Sequence, residues 1–206
     1  VPIQTVGQTK CTKEQYLAYL RSLVLAFELD VRTYEEVDGI DRAPEGIGFT
    51  VRTRRRGRGG TIRARRLVLA TGDTARPRRL GIEGEDRPHV HHAFEEPHRY
   101  FQQRLLVVGG PNSAVEAALR CWHAGAEVSI SYRRAAFEPD HVKYWLLPEL
   151  EGRIRRGEIG AHLETVPVGF RPGLTTLRRG DDTTVDVPSD FVLLLLGFEA
   201  DQRLLE

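Results

Sequence analysis

The chain has no methionine, three lysines and two cysteines, and each shortage removes a class of explanation. Without a methionine, it begins either past its initiator or at a valine codon. Cys11 and Cys121 form no CxxC pair, which argues against a disulfide framework, a zinc site and a dithiol redox centre. The longest unbroken apolar run, Phe191 to Leu196, is far short of the ~20 residues that cross a bilayer, and no basic-then-apolar leader opens the sequence. A cytoplasmic protein is therefore expected. Net charge is +1, so global electrostatics points to neither nucleic acid nor membrane. The 206 residues, 40% hydrophobic and 29% charged, suit one large or two small globular domains.

Thr12 to Gln15 fits a capping box. Behind it Tyr16, Leu17, Leu20, Leu23, Val24 and Phe27 recur at helical spacing, which predicts a helix with one buried stripe. Strands are predicted at Leu29 to Val37, Gly48 to Thr53 and Thr61 to Ala70, with a turn at Arg54 to Gly60. Residues 73 to 100, rich in Pro, Gly, His and charge, read as an inter-domain linker ending near Tyr100. Beyond it come a buried strand (Leu105 to Val108), a helix (Asn112 to His123), a strand (Ala126 to Tyr132) and a helix around Tyr144 to Arg156. Short strands then follow near 161–165, 168–170, 174–178 and 183–187, and an apolar strand at Phe191 to Leu196 closes at Gly197.

The strand Leu105–Val108 runs through Gly109-Gly110-Pro111-Asn112-Ser113-Ala114 into a helix, the context in which a glycine turn can hold a pyrophosphate on backbone amides and the helix dipole. Gly109 would make the tight turn, and Ala114 is small enough for helix and strand to pack closely. Pro111 stands where the fingerprint has a second glycine; a proline suits the first turn of a helix. About 20 residues past the glycines, NAD binders place an acid for the ribose 2′-hydroxyl and NADP binders an arginine for the 2′-phosphate. Here the strand ends Ser131-Tyr132-Arg133-Arg134, so NADP(H) is the expected dinucleotide. The competing readings are a βαβ unit without a ligand and an arginine pair on a solvated loop.

Val107 to Glu116 (VVGGPNSAVE) followed by Tyr132-Arg133-Arg134 resembles the NADPH-binding domain of thioredoxin-reductase-like flavoproteins, and within them the bacillithiol-disulfide-reductase branch. Lys143 to Ile159 resembles the stretch after the arginine strand in that branch. Leu67 to Gly72 (LVLATG) resembles the hinge leaving the FAD domain, and Asp190 to Phe198 the returning hinge, with Leu195-Leu196 where the family has Ala-Thr or similar. The resemblance implies an α/β fold: a Rossmann-like NADPH-binding domain of the three-layer ββα type at 101–206, the returning hinge strand at 190–198, and a remnant of the FAD-type domain at 1–100. It implies cofactor contacts from Gly109, Gly110, Pro111, Asn112, Ser113, Ala114, Glu116, Tyr132, Arg133, Arg134 and Gly197. The family's FAD-binding GxGxxG, its C-terminal Gly-Asp segment and its redox cysteines have no counterpart in this sequence, so FAD binding is expected to be weak or absent and no catalytic residue is assigned.

Two other constellations carry less. His89, His91, His92 and His98 with Glu95 and Glu96 look superficially like metal ligands, but solvated linker histidines are the simpler reading and no metal is expected. Eight arginines between Arg52 and Arg66 could meet nucleic-acid phosphates, yet no stacking aromatic lies among them and a solvated hairpin is the plainer account. The leading expectation is thus an NADPH-binding, redox-related module that senses or buffers the nucleotide or docks on a redox partner. The alternatives are a flavin disulfide oxidoreductase using weakly held or trans-supplied FAD, and arginine-rich nucleic-acid binding.

Overall fold

A computed structural model describes residues 11–43, 46–72, 74 and 76–199. It divides into two compact units between Ala70 and Thr71.

In the first unit, α1 (Lys13–Ala26) opens on the expected capping box: Thr12 Oγ1 accepts from Gln15 N at 3.2 Å and Gln15 Oε1 accepts from Thr12 N at 2.8 Å. The stripe behind it is not buried. Tyr16 and Leu17 are about half exposed (49% and 52%), and no residue of α1 is buried. Periodicity specified the helix, but a helical stripe is buried only where another surface is placed against it.

Three antiparallel strands follow, β1 (Glu35–Arg42), β2 (Phe49–Arg55) and β3 (Arg58–Ala64). The predicted first strand began six residues too early: Tyr34, at φ 59°, breaks the extended backbone just ahead of Glu35. The arginine tract predicted as a turn is mostly strand. Arg55 pairs with Arg58 across a two-residue connection, Arg56 and Gly57, both left-handed (φ 50° and 78°) as tight hairpins require. That turn fixes the register, so Ala64 faces Phe49 at the start of β2 and the residues after Ala64 have no partner strand. Leu67 to Ala70, predicted as strand, accordingly lies outside it, with Val68 87% exposed.

The second unit contains β4 (Arg76–Pro77), β5 (Val90–His91), β6 (Arg104–Val108), α2 (Asn112–His123), β7 (Glu127–Tyr132), α3 (Leu147–Arg155), β8 (Gly160–Leu163), β9 (Thr165–Arg171), β10 (Leu174–Arg179), β11 (Thr184–Pro188), β12 (Phe191–Leu194) and β13 (Phe198–Glu199). A parallel sheet of order β5-β12-β6-β7-β8 is its centre; β9, β10 and β11 form an antiparallel meander, and β4 pairs with β13. Alternation along the central strands builds two cores. Leu105, Val107 and Leu193 pack with Ala114, Val115 and Ala118 of α2, while Leu106, Val108, Val192 and Leu194 pack with Phe170, Leu177 and Val187 of the meander. Helices, parallel sheet and meander make the three-layer α/β arrangement expected from the sequence.

Residues 76–100, expected as linker, contribute to this unit. Val90 pairs with Val192, Tyr100 is 2% exposed, and the buried Glu85 carboxylate accepts from the N–H groups of Leu80 and Gly81. Local composition resembles a linker because these contacts are made by backbone and by single polar side chains, which leave no periodic apolar pattern.

Asp190 aligns the starts of β6 and β12. Its carboxylate accepts from Arg104 N and Arg104 Nε, each at 3.0 Å, and its own N–H donates to Arg104 O at 2.8 Å. The hydrogen bonds from Arg104 hold its carboxyl below the usual carboxylate range. A depressed folded-state pKa contributes stability that is present above the unfolded value, near ~3.9, and lost as pH falls through the folded value. Asp190→Asn is therefore expected to lower the urea midpoint at pH 6, with the gap from the parent protein closing as the solution is acidified below pH ~3.9. A gap of constant size over that range would show that Asp190 does not act through its charge.

Candidate dinucleotide site

The chain proceeds from β6 outward through β7 to β8, then returns through the meander to place β12 on the opposite side of β6. This reversal opens a crevice at the carboxyl ends of β6 and β12, where open parallel sheets receive their ligands. Gly109 to Pro111 lie at one lip and Leu195 at the other: Leu195 N donates to Val108 O at 2.9 Å, and Gly109 N to Ser131 O at 3.0 Å.

Both glycines are required, for different reasons. Gly109 has φ 137°, and a Cβ there would stand 2.5 Å from Leu195 O and 3.1 Å from the Ala114 Cβ. Ala114 is fully buried, so the expected close approach of helix and strand is present. At Gly110 a Cβ would lie 2.0 Å from the Tyr132 ring, which is buried and stacked on Phe137 with centroids 5.2 Å apart. Sequence reasoning gave Tyr132 only as a cofactor neighbour; its ring also covers the glycine turn.

α2 has the bounds expected from the sequence, with Pro111 as its N-cap just ahead of the first turn. Its carbonyl accepts from Ala114 N and Val115 N at 3.0 and 3.3 Å. Among the described residues, the N–H groups of Gly110, Asn112 and Ser113 have no backbone acceptor, and Ser113 is exposed. Three donors at the positive end of a 12-residue helix suit a pyrophosphate.

Asn112 and Glu116 are engaged with a segment that sequence spacing could not connect to them. Asn112 Oδ1 accepts from Lys143 N at 2.6 Å, and Lys143 Nζ lies 3.5 Å from Glu116 Oε2. Lys143, one of three lysines in the chain, is thereby brought beside the start of α2. Next to it Tyr144 and Trp145 are exposed, in edge-to-face contact at 4.8 Å.

Arg133 and Arg134 leave the end of β7 exposed to solvent. Arg134 pairs with Glu138, whereas Arg133 makes no ion pair among the described residues. Gly197 lies between β12 and β13; its φ of 91°, not crowding, calls for glycine, and its carbonyl accepts from Arg78 N at 3.0 Å.

The remaining constellations resolve into separate local roles. Cys121 is fully buried, and burial pushes its thiol up to about 12, so it is not a thiolate at neutral pH. His91 Nδ1 meets Tyr100 OH at 2.8 Å, and His92 Nδ1 lies 3.9 Å from Glu85; no three metal-ligating side chains converge among the described residues. In the arginine hairpin, Arg52 pairs with Asp41 and Arg54 with Asp38, which offsets part of its positive charge. No helix among the described residues is long and apolar enough to cross a membrane.

Residues 1–206 match the family model described as pyridine nucleotide-disulphide oxidoreductase. The chain belongs to this family. Within it, the chain is 35% identical over 139 residues to the bacilliredoxin reductase Bdr of Bacillus subtilis, covering 68% of this chain and 43% of that one. It is 31% identical over 140 residues to a ferredoxin–NADP reductase of Ignicoccus hospitalis, covering 65% and 43%. The solved bacillithiol disulfide reductase Bdr of Bacillus cereus superposes with a TM-score of 0.84 at 32% identity, over 96% of this chain and 60% of that one. The chain thus spans less than half the length of these two curated relatives. Pyridine nucleotide-disulphide oxidoreductases are a family dependent on a pyridine nucleotide and a flavin.

Proposed function

We propose that the chain binds NADP(H), with the pyrophosphate on the turn Gly109 to Ala114 and the 2′-phosphate on Arg133 and Arg134. The observation that carries this reading is the pairing of a glycine-only turn at the sheet's switch point with an arginine pair at the end of the adjacent strand. Gly109 and Gly110 let the N–H groups of Gly110, Asn112 and Ser113 reach the phosphates without a Cβ in the way, Ala114 lets α2 start close to β6, and Tyr132 holds the turn in shape. Asn112 and Glu116 anchor the Lys143 segment beside the phosphate, and Gly197 lets the chain turn away from the crevice. When bound, the nicotinamide supplies or accepts a hydride. The unit ending at Ala70 corresponds to part of the FAD-type domain, and the protein acts in the cytoplasm as a redox-related module that senses NADPH or presents it to a protein partner.

A second reading is favoured by the relatives, whose names are those of reductases. In it the bound NADPH reduces a flavin that then serves a disulfide or other redox acceptor. Among the described residues, β6 is the only strand that passes through a glycine turn into a helix.

Both readings are tested by titrating tryptophan fluorescence with NADPH and NADH, then assaying NADPH oxidation with added FAD and a disulfide. Tighter binding of NADPH supports the site. Equal affinities would overturn it, and turnover with FAD would favour the reductase over the binding module.

A further inference from the structure

Between β7 and α3 the chain is irregular apart from a short 3₁₀ turn at Pro139–His141. Glu138 stands at the start of that turn, and its carboxylate is shared. One oxygen meets the Arg134 guanidinium and the other meets His141 Nδ1. The side chains of Arg134 and Glu138 are 44% and 34% exposed, so the pair lies at the surface, where ion pairs are weak and exchange readily. Arg133, its neighbour, has no such partner among the described residues. The two arginines at the end of β7 therefore differ: one is free for an anion, the other already holds one.

We propose that Glu138 is a specificity-determining residue that occupies, on Arg134, the place of a nucleotide 2′-phosphate. This rests on the reading of Arg133 and Arg134 as the 2′-phosphate site. NADP(H) then binds by exchange, its phosphate displacing a carboxylate from the Arg134 guanidinium. A phosphate brings nearly two negative charges and three acceptor oxygens, against one charge and two oxygens for a carboxylate, so the exchange runs toward the nucleotide. The displaced carboxylate stays tethered four residues away, where His141 retains it and where its charge opposes the phosphate. NADH presents a neutral 2′-hydroxyl instead, which displaces nothing and can donate to the same carboxylate. Glu138 thus lowers the discrimination that two free arginines would give.

The test compares the parent chain, Glu138→Gln, Arg134→Ala and the double variant by fluorescence titration with NADPH and with NADH at low salt. Glu138→Gln is expected to bind NADPH about three- to tenfold more tightly, with NADH unchanged or weaker. The gain should vanish in the Arg134→Ala background, because the carboxylate then has no guanidinium to occupy. An unchanged NADPH affinity, an equal gain for both nucleotides, or a gain that persists without Arg134 would each overturn the proposal. Failure of the parent protein to prefer NADPH would instead remove the site reading on which it rests. Because Glu138 is a surface residue, an unaltered thermal midpoint confirms that the variant reports on binding alone.

Discussion

Alanine at both Arg133 and Arg134 is expected to weaken NADPH binding by roughly 30- to 150-fold and to leave NADH affinity nearly unchanged. A charge-assisted hydrogen bond contributes about 1.5 to 3 kcal/mol. Both guanidiniums are exposed, so we take about 2 to 3 kcal/mol for the two together, at about 1.4 kcal/mol per tenfold. The two arginines should not contribute equally. Arg133 has no ion pair among the described residues, whereas Arg134 must first release Glu138, so Arg133→Ala should cost more than Arg134→Ala. Raising the salt concentration should shrink the difference between NADPH and NADH in the parent protein and have little effect in the double variant. A double variant that still prefers NADPH would place the 2′-phosphate elsewhere.

Gly109→Ala is expected to destabilise the second unit by about 3 to 5 kcal/mol and to abolish nucleotide binding. Two penalties combine. The backbone at φ 137° is one that alanine rarely adopts, at about 1 to 3 kcal/mol. The new Cβ would also stand 2.5 Å from the carbonyl oxygen of Leu195. That oxygen belongs to main chain continuing β12, so relief means separating β12 from β6 where the crevice opens. For a chain of this size each kcal/mol lowers the thermal midpoint by roughly 2 to 4 °C, so a drop of about 6 to 20 °C is expected in a melting experiment. Gly110→Ala provides the contrast. Its Cβ would collide with the ring of Tyr132, a side chain. Adding Tyr132→Ala should restore much of the lost stability at Gly110 and nothing at Gly109. If Tyr132→Ala rescued both, the Leu195 carbonyl would not be the obstacle.

The parts of the site legible in the sequence are those fixed by local chemistry. A buried strand, two glycines, a small residue and a helix can be recognised in ten consecutive positions, because backbone conformation and side-chain size act over that range. The arginine pair is equally plain, since parallel crossover geometry brings the end of the next strand to the same edge. What could not be read were partners distant in sequence or lacking a periodic pattern. Lys143 reaches Asn112 and Glu116 across 31 and 27 residues, and Leu195 faces Gly109 only because β12 is inserted beside β6. Glu138 stands four residues from Arg134, a spacing visible in the sequence. Outside a helix, however, that spacing implies no contact, and only the fold of residues 135–142 joins them.

The same division holds for the fold. Capping of α1, alternation in β6 and β12 and the hairpin arginines are local, so helix, strands and turn chemistry follow from the residues themselves. The burial of the α1 stripe was expected from periodicity and is not found, because burial depends on what packs against a helix. The strand boundaries near Leu29 and Ala70 shifted for a related reason: pairing register, set by the Arg56-Gly57 turn and stopped at Tyr34, outweighs β propensity. For the candidate dinucleotide site between Leu105 and Arg134, local sequence was enough to specify the glycine turn and the basic side chains beside it. Tertiary structure decided that the turn lies at the switch point of the sheet, that Leu195 and Tyr132 make its glycines obligatory, and that one of the two arginines already holds a carboxylate. Such features arise from contacts between segments far apart in the chain, whose close approach is specified by the packed core and not by any local pattern.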